Sequence, residues 1–425
     1  MIEIPNSYLE QLINWRRQFH QYPEPGWLEF FTTSKIADLL QEWDYEIYVG
    51  KELNASKRMG LPSETMIEQF YAAAKHAGAN EKWLSKMEGG YTGVLAVLET
   101  GRPGPTVCFR VDIDALPIFE STEAEHVPNR LAFRSQNDGF MHACGHDSHI
   151  AIGLGLAEQI MQHRNQLTGT IKIIFQPAEE GVRGAASIVQ SPLFDDIDYF
   201  FALHIGTGVE AGKFIAGSEG FLATSKFDAT ITGVAAHAGG VPEEGKNALL
   251  AAAQATVALH SLPPHSKGSH RINVGTLHAG LGRNVIPSTA QIQLEVRGET
   301  TEINSFYENA VKQIFSGIET MYGVRVELKK VGEAISVPSS KALSAILADV
   351  AGSLQIPYEE YSNFNSGSED ATFFMERIQK NGGLATYSII GTELAAGHHH
   401  EKFDIREEDM LSAIKIWLNT LLRLQ

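Results

Sequence analysis

Cysteine is nearly absent from these 425 residues: Cys108 and Cys144 are the only two, too few for a disulfide framework. Also missing is any apolar run of the roughly 18 residues that a membrane span needs. The amino terminus, MIEIPNSYLEQL, lacks the basic head and apolar stretch of a secretory leader. Together these absences imply a cytoplasmic address. Basic charge is short as well, with 34 Lys and Arg against 51 Asp and Glu for a formal charge of -17. That balance argues against nucleic acid and anionic membranes, whose non-specific binding rests on clustered Lys and Arg. An anionic small molecule would have to be met by a local cationic feature. No low-complexity segment and no internal repeat is present.

What is there is globular in composition, at 43% hydrophobic and 20% charged. Single cores stop growing near about 250 to 300 residues, so the length predicts two domains. In the first third, apolar spacing predicts helices over Ser7–Phe19 and Thr32–Trp43, and buried strands over Gly93–Glu99 and Thr106–Val111. Between them lies Tyr45–Met87, whose middle, SETMIEQFYAAAKHAG, reads as an added helix. A helix over Ile150–Gln162 and strands over Gly169–Phe175 and Tyr199–Leu203 complete an alternation that implies an α/β layer with a mostly parallel sheet. Near Phe221 the pattern changes to strand Lys226–Thr232, helix Lys246–Leu262, strands Arg271–Leu277 and Ala290–Val296, helix Glu302–Tyr322 and strand Val324–Lys330. That order, βαββαβ, is a split βαβ arrangement. After it the first pattern resumes and ends in a helix over Glu407–Leu424. The expected layout is a catalytic domain over 1–220 and 333–425, with a smaller α+β domain inserted over 221–332.

The chemistry concentrates in MHACGHDSHI, Met141–Ile150. Cys144 and His146 are two apart, which on an extended segment points both the same way, just before a helix and so at the ligand-binding edge of an open sheet. Taken alone, the stretch leaves two readings open, a thiolate and imidazole metal site or a buried apolar cysteine beside satisfied polar histidines. Two neighbouring strands favour metal. GTIKIIF runs into QPAEEG, which puts Glu179 and Glu180 at its carboxyl end, and YFFALH does the same for His204. Adjacent glutamates on an extended chain face apart, inviting one ligand and one general base.

These segments, with RRQFHQYPEPGWLE (Arg16–Glu29), RVDIDALP (Arg110–Pro117), ALHIG, GVAAHAG (Gly233–Gly239), GRNVIP (Gly282–Pro287) and HHEKFD (His399–Asp404), resemble the amidohydrolase branch of the M20 metallopeptidase superfamily over nearly the whole chain. The resemblance implies a zinc-peptidase-like catalytic domain with an inserted lid and dimerisation domain. It implies two divalent ions, Mn or Zn, held by Cys144 as the bridging ligand with His146, Glu180, His204 and a late histidine, and Glu179 as the general base. GHHHEKF offers three late candidates, and the family register, four residues before the aromatic Phe403, selects His399. Where the peptidase branches carry a metal-binding histidine this chain has Asp112, with His146 as the substitute ligand and Asp114 orienting a ligating imidazole. His237 would stabilise the oxyanion of a partner subunit's site. Asn284 and Arg297, thirteen residues apart on two strands, would hold the substrate carboxylate.

The implied activity is hydrolysis of an N-acyl amino acid. The added Tyr45–Met87 segment with its RMGLPS, EGGYTGVLAVLETGRPGP and the GHHHEKFD ending point to the members that split p-aminobenzoyl-glutamate into p-aminobenzoate and glutamate. Hippurate or N-acetyl-amino-acid hydrolysis is the alternative, and a catalytically silent subunit the third reading. The implied assembly is a homodimer or a heterodimer with a related B subunit.

Overall fold

The computed structural model describes residues 1–54, 57–364 and 367–425. Ala55 and Ser56, inside the added Tyr45–Met87 segment, lie outside the described residues. The chain divides into two compact units, one of Met1–Glu219, Val337–Phe364 and Asp370–Gln425, the other of Gly220–Ser336 with a short piece ending at Glu369.

In the first unit, among the described residues, eight strands run in the order Glu46–Val49, Val94–Glu99, Thr170–Gln176, Thr106–Asp112, Tyr199–Ile205, Leu384–Ile390, Phe214–Ile215 and Tyr358–Glu359. The four from Thr170–Gln176 to Leu384–Ile390 are mutually parallel, so their carboxyl ends share one edge. Their near-continuous apolar sequences follow from burial on both faces. Phe109 stacks on Phe201 and meets Trp417 of the last helix, Met410–Arg423, while Phe200 stacks on Phe374 from the opposite face. The added segment forms a helix, Glu64–His76, started by the Ser63 hydroxyl accepting the Met66 N–H at 3.3 Å. It docks through Tyr71 on Phe30 and Phe70 on Phe140. Among the described residues no helix is long and apolar enough to cross a membrane.

The helix expected from Ile150 begins four residues earlier and spans His146–Gln162. Gly145 (φ 91) supplies the left-handed turn into it. Cys144 and His146 therefore do not sit on one extended segment. The polar HDSH turn hid this start, because its side chains are buried by partners distant in sequence.

The partners of Asp147 come from the first helix, Leu9–His20. Arg16 Nε reaches Asp147 at 2.9 Å and its Nη2 reaches Asp404 at 2.5 Å, and His20 spans Asp147 at 2.8 Å and Glu120 at 2.9 Å. Burial opposes charge on His20, but Asp147 and Glu120 outweigh it and push its pKa up to about 9. A raised histidine contributes stability that is complete below its unfolded pKa of about 6.5 and is lost as pH rises through about 9. The melting temperature of the protein is therefore expected to fall between pH 6.5 and 9.5. A shift of this size corresponds to roughly 3 kcal/mol. His20→Gln should melt lower at pH 6.5 and lose that alkaline slope. Parallel melting curves of the two proteins across this range would show that the ion cluster contributes nothing.

The second unit is the antiparallel sheet Arg325–Ala334, Ala223–Thr232, Thr289–Gly298, His270–Ala279, in that order, with helices Ala248–His260 and Thr301–Tyr322. Its chain order is βαββαβ. Ala248, Ala251, Ala252, Ala255 and Leu259 pack inward with Tyr307, Phe315 and the inner sheet residues Phe227, Ile231 and Ile292.

Candidate active site

Four parallel strands deliver polar side chains to one edge. Asp112 ends the first, His204 lies near the end of another, Glu179 and Glu180 follow Thr170–Gln176, and His398 and His399 lie in the loop after Leu384–Ile390. The possible ligand atoms of Cys144, His146 and Glu180 all lie within 4.8 Å of one another, as do those of Cys144, His204 and His398, and those of Asp112, His146 and His149. Cys144 joins the first two groups. Its sulfur is 3.4 Å from His204 Nε2 and 3.6 Å from His398 Nδ1. His399 Nε2 lies 3.4 Å from Glu180 Oε1.

Backbone groups sort these imidazoles by tautomer. His146 Nδ1 donates to the Asp114 carbonyl at 2.9 Å, and His204 Nδ1 donates to the Ile205 carbonyl at 2.7 Å. In its neutral form each therefore keeps a lone pair on Nε2 that faces the cluster. His149 and His398 are wired the other way. His149 Nε2 accepts the Ile205 N–H at 3.0 Å and His398 Nε2 accepts the Thr207 N–H at 3.0 Å, so in each neutral ring the proton sits on Nδ1. The proton of His149 goes to Asp112 at 2.5 Å, and Asp112 is in turn held by Arg110 at 2.7 Å. Neither ring has a lone pair left for a cation. Sequence reasoning does not single out His149 and His398 as positioning groups, and no local motif marks them, because the deciding partners are backbone N–H groups about 60 and 190 positions away.

The glutamate pair sits in a tight turn rather than on an extended chain, with Ala178 (φ 54) and Val182 (φ 57) in the left-handed region. The Asp114 carboxylate accepts the Glu179 N–H at 3.0 Å and the Glu180 N–H at 2.9 Å. Asp114 was expected to orient an imidazole with its side chain. Its carbonyl accepts from His146 Nδ1 at 2.9 Å while its carboxylate lies 3.4 Å from the same nitrogen and also clamps the turn. Arg183 ties the same turn to the added segment, donating to the Glu180 carbonyl at 2.7 Å and to the Gly60 carbonyl at 2.9 Å. Glu179 Oε2 lies 4.0 Å from His146 Nε2, the same ring whose Nε2 faces the thiolate group.

The pocket attracts positive charge. Burial opposes a charge on His146, yet Asp112, Asp114 and Cys144 overcome it and raise its pKa well above the usual histidine range. His399, beside Cys144 and Glu180, is pushed up to about 10. Burial and then the charge of Glu180 push the Cys144 thiol up. Buried His146 Nε2 has no hydrogen-bond partner, and Glu180 Oε1 has none beyond the 3.4 Å approach of His399. Two orphaned lone pairs in a pocket of excess negative charge fit a cation, and thiolate, imidazole and carboxylate are the donor set of a zinc-like ion.

The second unit carries the other expected residues. His237 is exposed and pairs through its backbone with Val285, beside Asn284. Its Nδ1 accepts the Gly239 N–H at 3.2 Å, which leaves the proton on the exposed Nε2. Asn284 lies in a turn before Thr289–Gly298 and not on a strand. Arg297, near the far end of that strand, is held by Glu295 at 2.9 Å and 3.1 Å. Arg297 lies eight strand positions beyond Thr289, about 26 Å at the usual rise. Within one chain, Asn284 and Arg297 therefore do not meet on one carboxylate.

A thiolate, histidine and carboxylate cluster at the strand edge of an α/β sheet, with a further carboxylate alongside, is the arrangement of a metal-dependent hydrolase. The chain belongs to peptidase family M20/M25/M40, whose description matches residues 108–423. It is 50% identical over 419 residues, 96% of each chain, to an indole-3-acetyl-aspartic acid hydrolase from Enterobacter agglomerans. It is 49% identical over 422 residues, 98% of this chain and 96% of the relative, to the A subunit of p-aminobenzoyl-glutamate hydrolase from Escherichia coli (strain K12). Among solved structures it is similar to an aminobenzoyl-glutamate utilization protein from Klebsiella pneumoniae, with a TM-score of 0.85, 42% identity and 98% of both chains covered. It is also similar to the YXEP protein of Bacillus subtilis, a dinuclear metal-binding peptidase from the M20 family, with a TM-score of 0.68, 25% identity and 99% of both chains covered. The protein is a metal-dependent amidohydrolase of N-acyl amino acids.

Proposed function

We propose that the chain hydrolyses the amide between an aromatic acyl group and an acidic amino acid, with p-aminobenzoyl-glutamate as the leading substrate. Two divalent ions, Mn or Zn, would be held by Cys144, His146, Glu180, His204 and His399. The observation that carries the reaction type is the pair of orphaned buried atoms, His146 Nε2 and Glu180 Oε1, with Glu179 alongside. Ions held there supply Lewis acidity and acidify a water toward neutrality. Glu179 takes the proton of the attacking water at its carboxylate and returns it to the departing amine nitrogen. His237 Nε2–H supplies a hydrogen bond to the developing oxyanion.

For the substrate, two relatives that cover nearly the full chain carry names pairing an aromatic acyl group with glutamate or aspartate. Indole-3-acetyl-aspartate is therefore the second reading, supported by the 50% identical relative. A catalytically silent subunit is disfavoured, because Glu179 and every proposed ligand are present in the sequence, and Cys144, His146 and Glu180 lie within 4.8 Å of one another. The assembly we infer is a dimer, of identical chains or with a related B subunit, in a cytoplasmic setting. An edge strand, His270–Ala279, and exposed Leu250 and Val257 on the helix Ala248–His260 are the surfaces that suit it.

The test is a substrate panel on the purified chain with Mn or Zn. The highest kcat/KM is expected on p-aminobenzoyl-glutamate, then indole-3-acetyl-aspartate, with hippurate and acetyl-amino acids far lower. Equal rates on hippurate would overturn the acidic preference. Turnover that appears only after adding the B subunit would assign the heteromer.

A further inference from the structure

His398 is built into its place more firmly than a spare member of a histidine run needs to be. Gly206 (φ 86) and Thr207 (φ 50) are consecutive left-handed residues, and this turn aims the Thr207 N–H at His398 Nε2, 3.0 Å away. A Cβ at Gly206 would come within 2.9 Å of that same nitrogen, so the turn leaves room for the ring and little more. Phe403 lies against one side of the ring with centroids 5.0 Å apart, and His204 meets it edge-on at 5.2 Å. With Nε2 occupied as an acceptor, Nδ1 carries the proton, and Nδ1 points at the Cys144 sulfur 3.6 Å away. Turning Nδ1 into a ligand would move the proton to Nε2 and set it against the Thr207 N–H, donor against donor in a half-buried place.

We propose that His398 is a positioning residue whose Nδ1–H donates to the Cys144 sulfur and fixes where that sulfur lies between His204 and Glu180, and that it is not itself a metal ligand. The proposal rests on the reading of Cys144 as a ligand. The N–H withdraws electron density from the sulfur, lowering its lone-pair energy and restricting its direction. Groups that orient ligands in this way typically alter metal affinity by about 10 to 100-fold when removed. The neighbouring His399 is then the late histidine that faces Glu180.

The experiment uses the full chain loaded with Co(II), reading bound cobalt per chain and the near-ultraviolet thiolate-to-cobalt charge-transfer band. His398→Ala is expected to bind as many ions as the wild type at saturation, with affinity about 10 to 100-fold weaker and the band moved to longer wavelength. His398→Asn, which places an amide N–H close to where Nδ1 sits, should return both toward the wild type. A band unmoved in His398→Ala overturns the proposal, and so does the loss of one bound ion at saturation in both variants, the signature of a ligand. Should His398→Ala fail to fold, wild-type protein labelled with 15N-histidine reads the tautomer directly, and a proton on Nε2 of His398 overturns the proposal. A wild-type Co(II) protein with no thiolate band would instead remove the reading of Cys144 as a ligand, and this inference with it.

Discussion

Glu179→Gln is expected to keep its metal and lose roughly 100 to 10,000-fold in kcat, the usual span of a positioned general base. The expectation rests on how the turn parts two adjacent carboxylates. Both backbone N–H groups are clamped by Asp114, so neither residue can slide into the other's place. Glu180 falls within 4.8 Å of the Cys144 and His146 ligand atoms and 3.4 Å from His399, whereas Glu179 meets His146 on its Nε2 side at 4.0 Å and lies outside that Cys144 group. An amide in place of Glu179 removes the proton acceptor and leaves the thiolate and imidazoles untouched. Glu180→Gln should do the opposite, because an amide oxygen in that pocket replaces a charge the ions would need. Metal content by elemental analysis and kcat on p-aminobenzoyl-glutamate separate the two. Near wild-type turnover in Glu179→Gln would return the base role to another group.

Much of this site was legible because the signals are local. An apolar strand followed at once by EE, or by H, states where those residues lie on a parallel sheet, and strands such as Thr170–Gln176 and Tyr199–Ile205 ended within two residues of where their patterns ended. What stayed hidden was decided by backbone. In GHHHEKF the family register alone separates His399 from His398, since the physical distinction is made by the Thr207 N–H in one case and by Glu180 in the other. The same holds for His149, neutralised as a ligand by the Ile205 N–H. Arg16 and His20 were legible in principle. Two cationic residues one helical turn apart on the buried face of LEQLINWRRQFH need anionic partners, and the Asp of GHD meets both of them. Asn284 was misplaced because GRNVIP follows a strand closely enough to pass for its continuation, yet it forms the turn that carries Val285 to His237.

Mixing a His237→Ala chain with a Glu179→Gln chain should restore roughly a quarter to a half of the wild-type activity from two preparations that are each nearly inactive, because one of the two sites in a mixed dimer has both groups intact. His237→Ala alone should cost roughly 100 to 1,000-fold in kcat, as the loss of an oxyanion donor does. The chain enters the second unit at Gly220 and leaves at Ser336, and the register pairs Ala334 with Thr224, so entry and exit lie at one end of the sheet. The strand Ala223–Thr232 then runs ten residues away from that end, about 30 Å. His237 comes five residues later, next to Asn284, with its Nε2–H exposed. Arg297 pairs with Thr224 and so stays at the entry end. If Asn284 and Arg297 serve a single carboxylate, as their family positions imply, the two must come from different chains, and His237 travels with Asn284. The residues proposed to hold the ions all belong to the other unit, and in the proposed dimer a neighbouring copy brings its His237 to them. Subunit exchange must first be verified with two distinguishable tags. Two inactive variants that stay inactive after that exchange would place His237 at its own chain's site, reached by closure of one unit on the other.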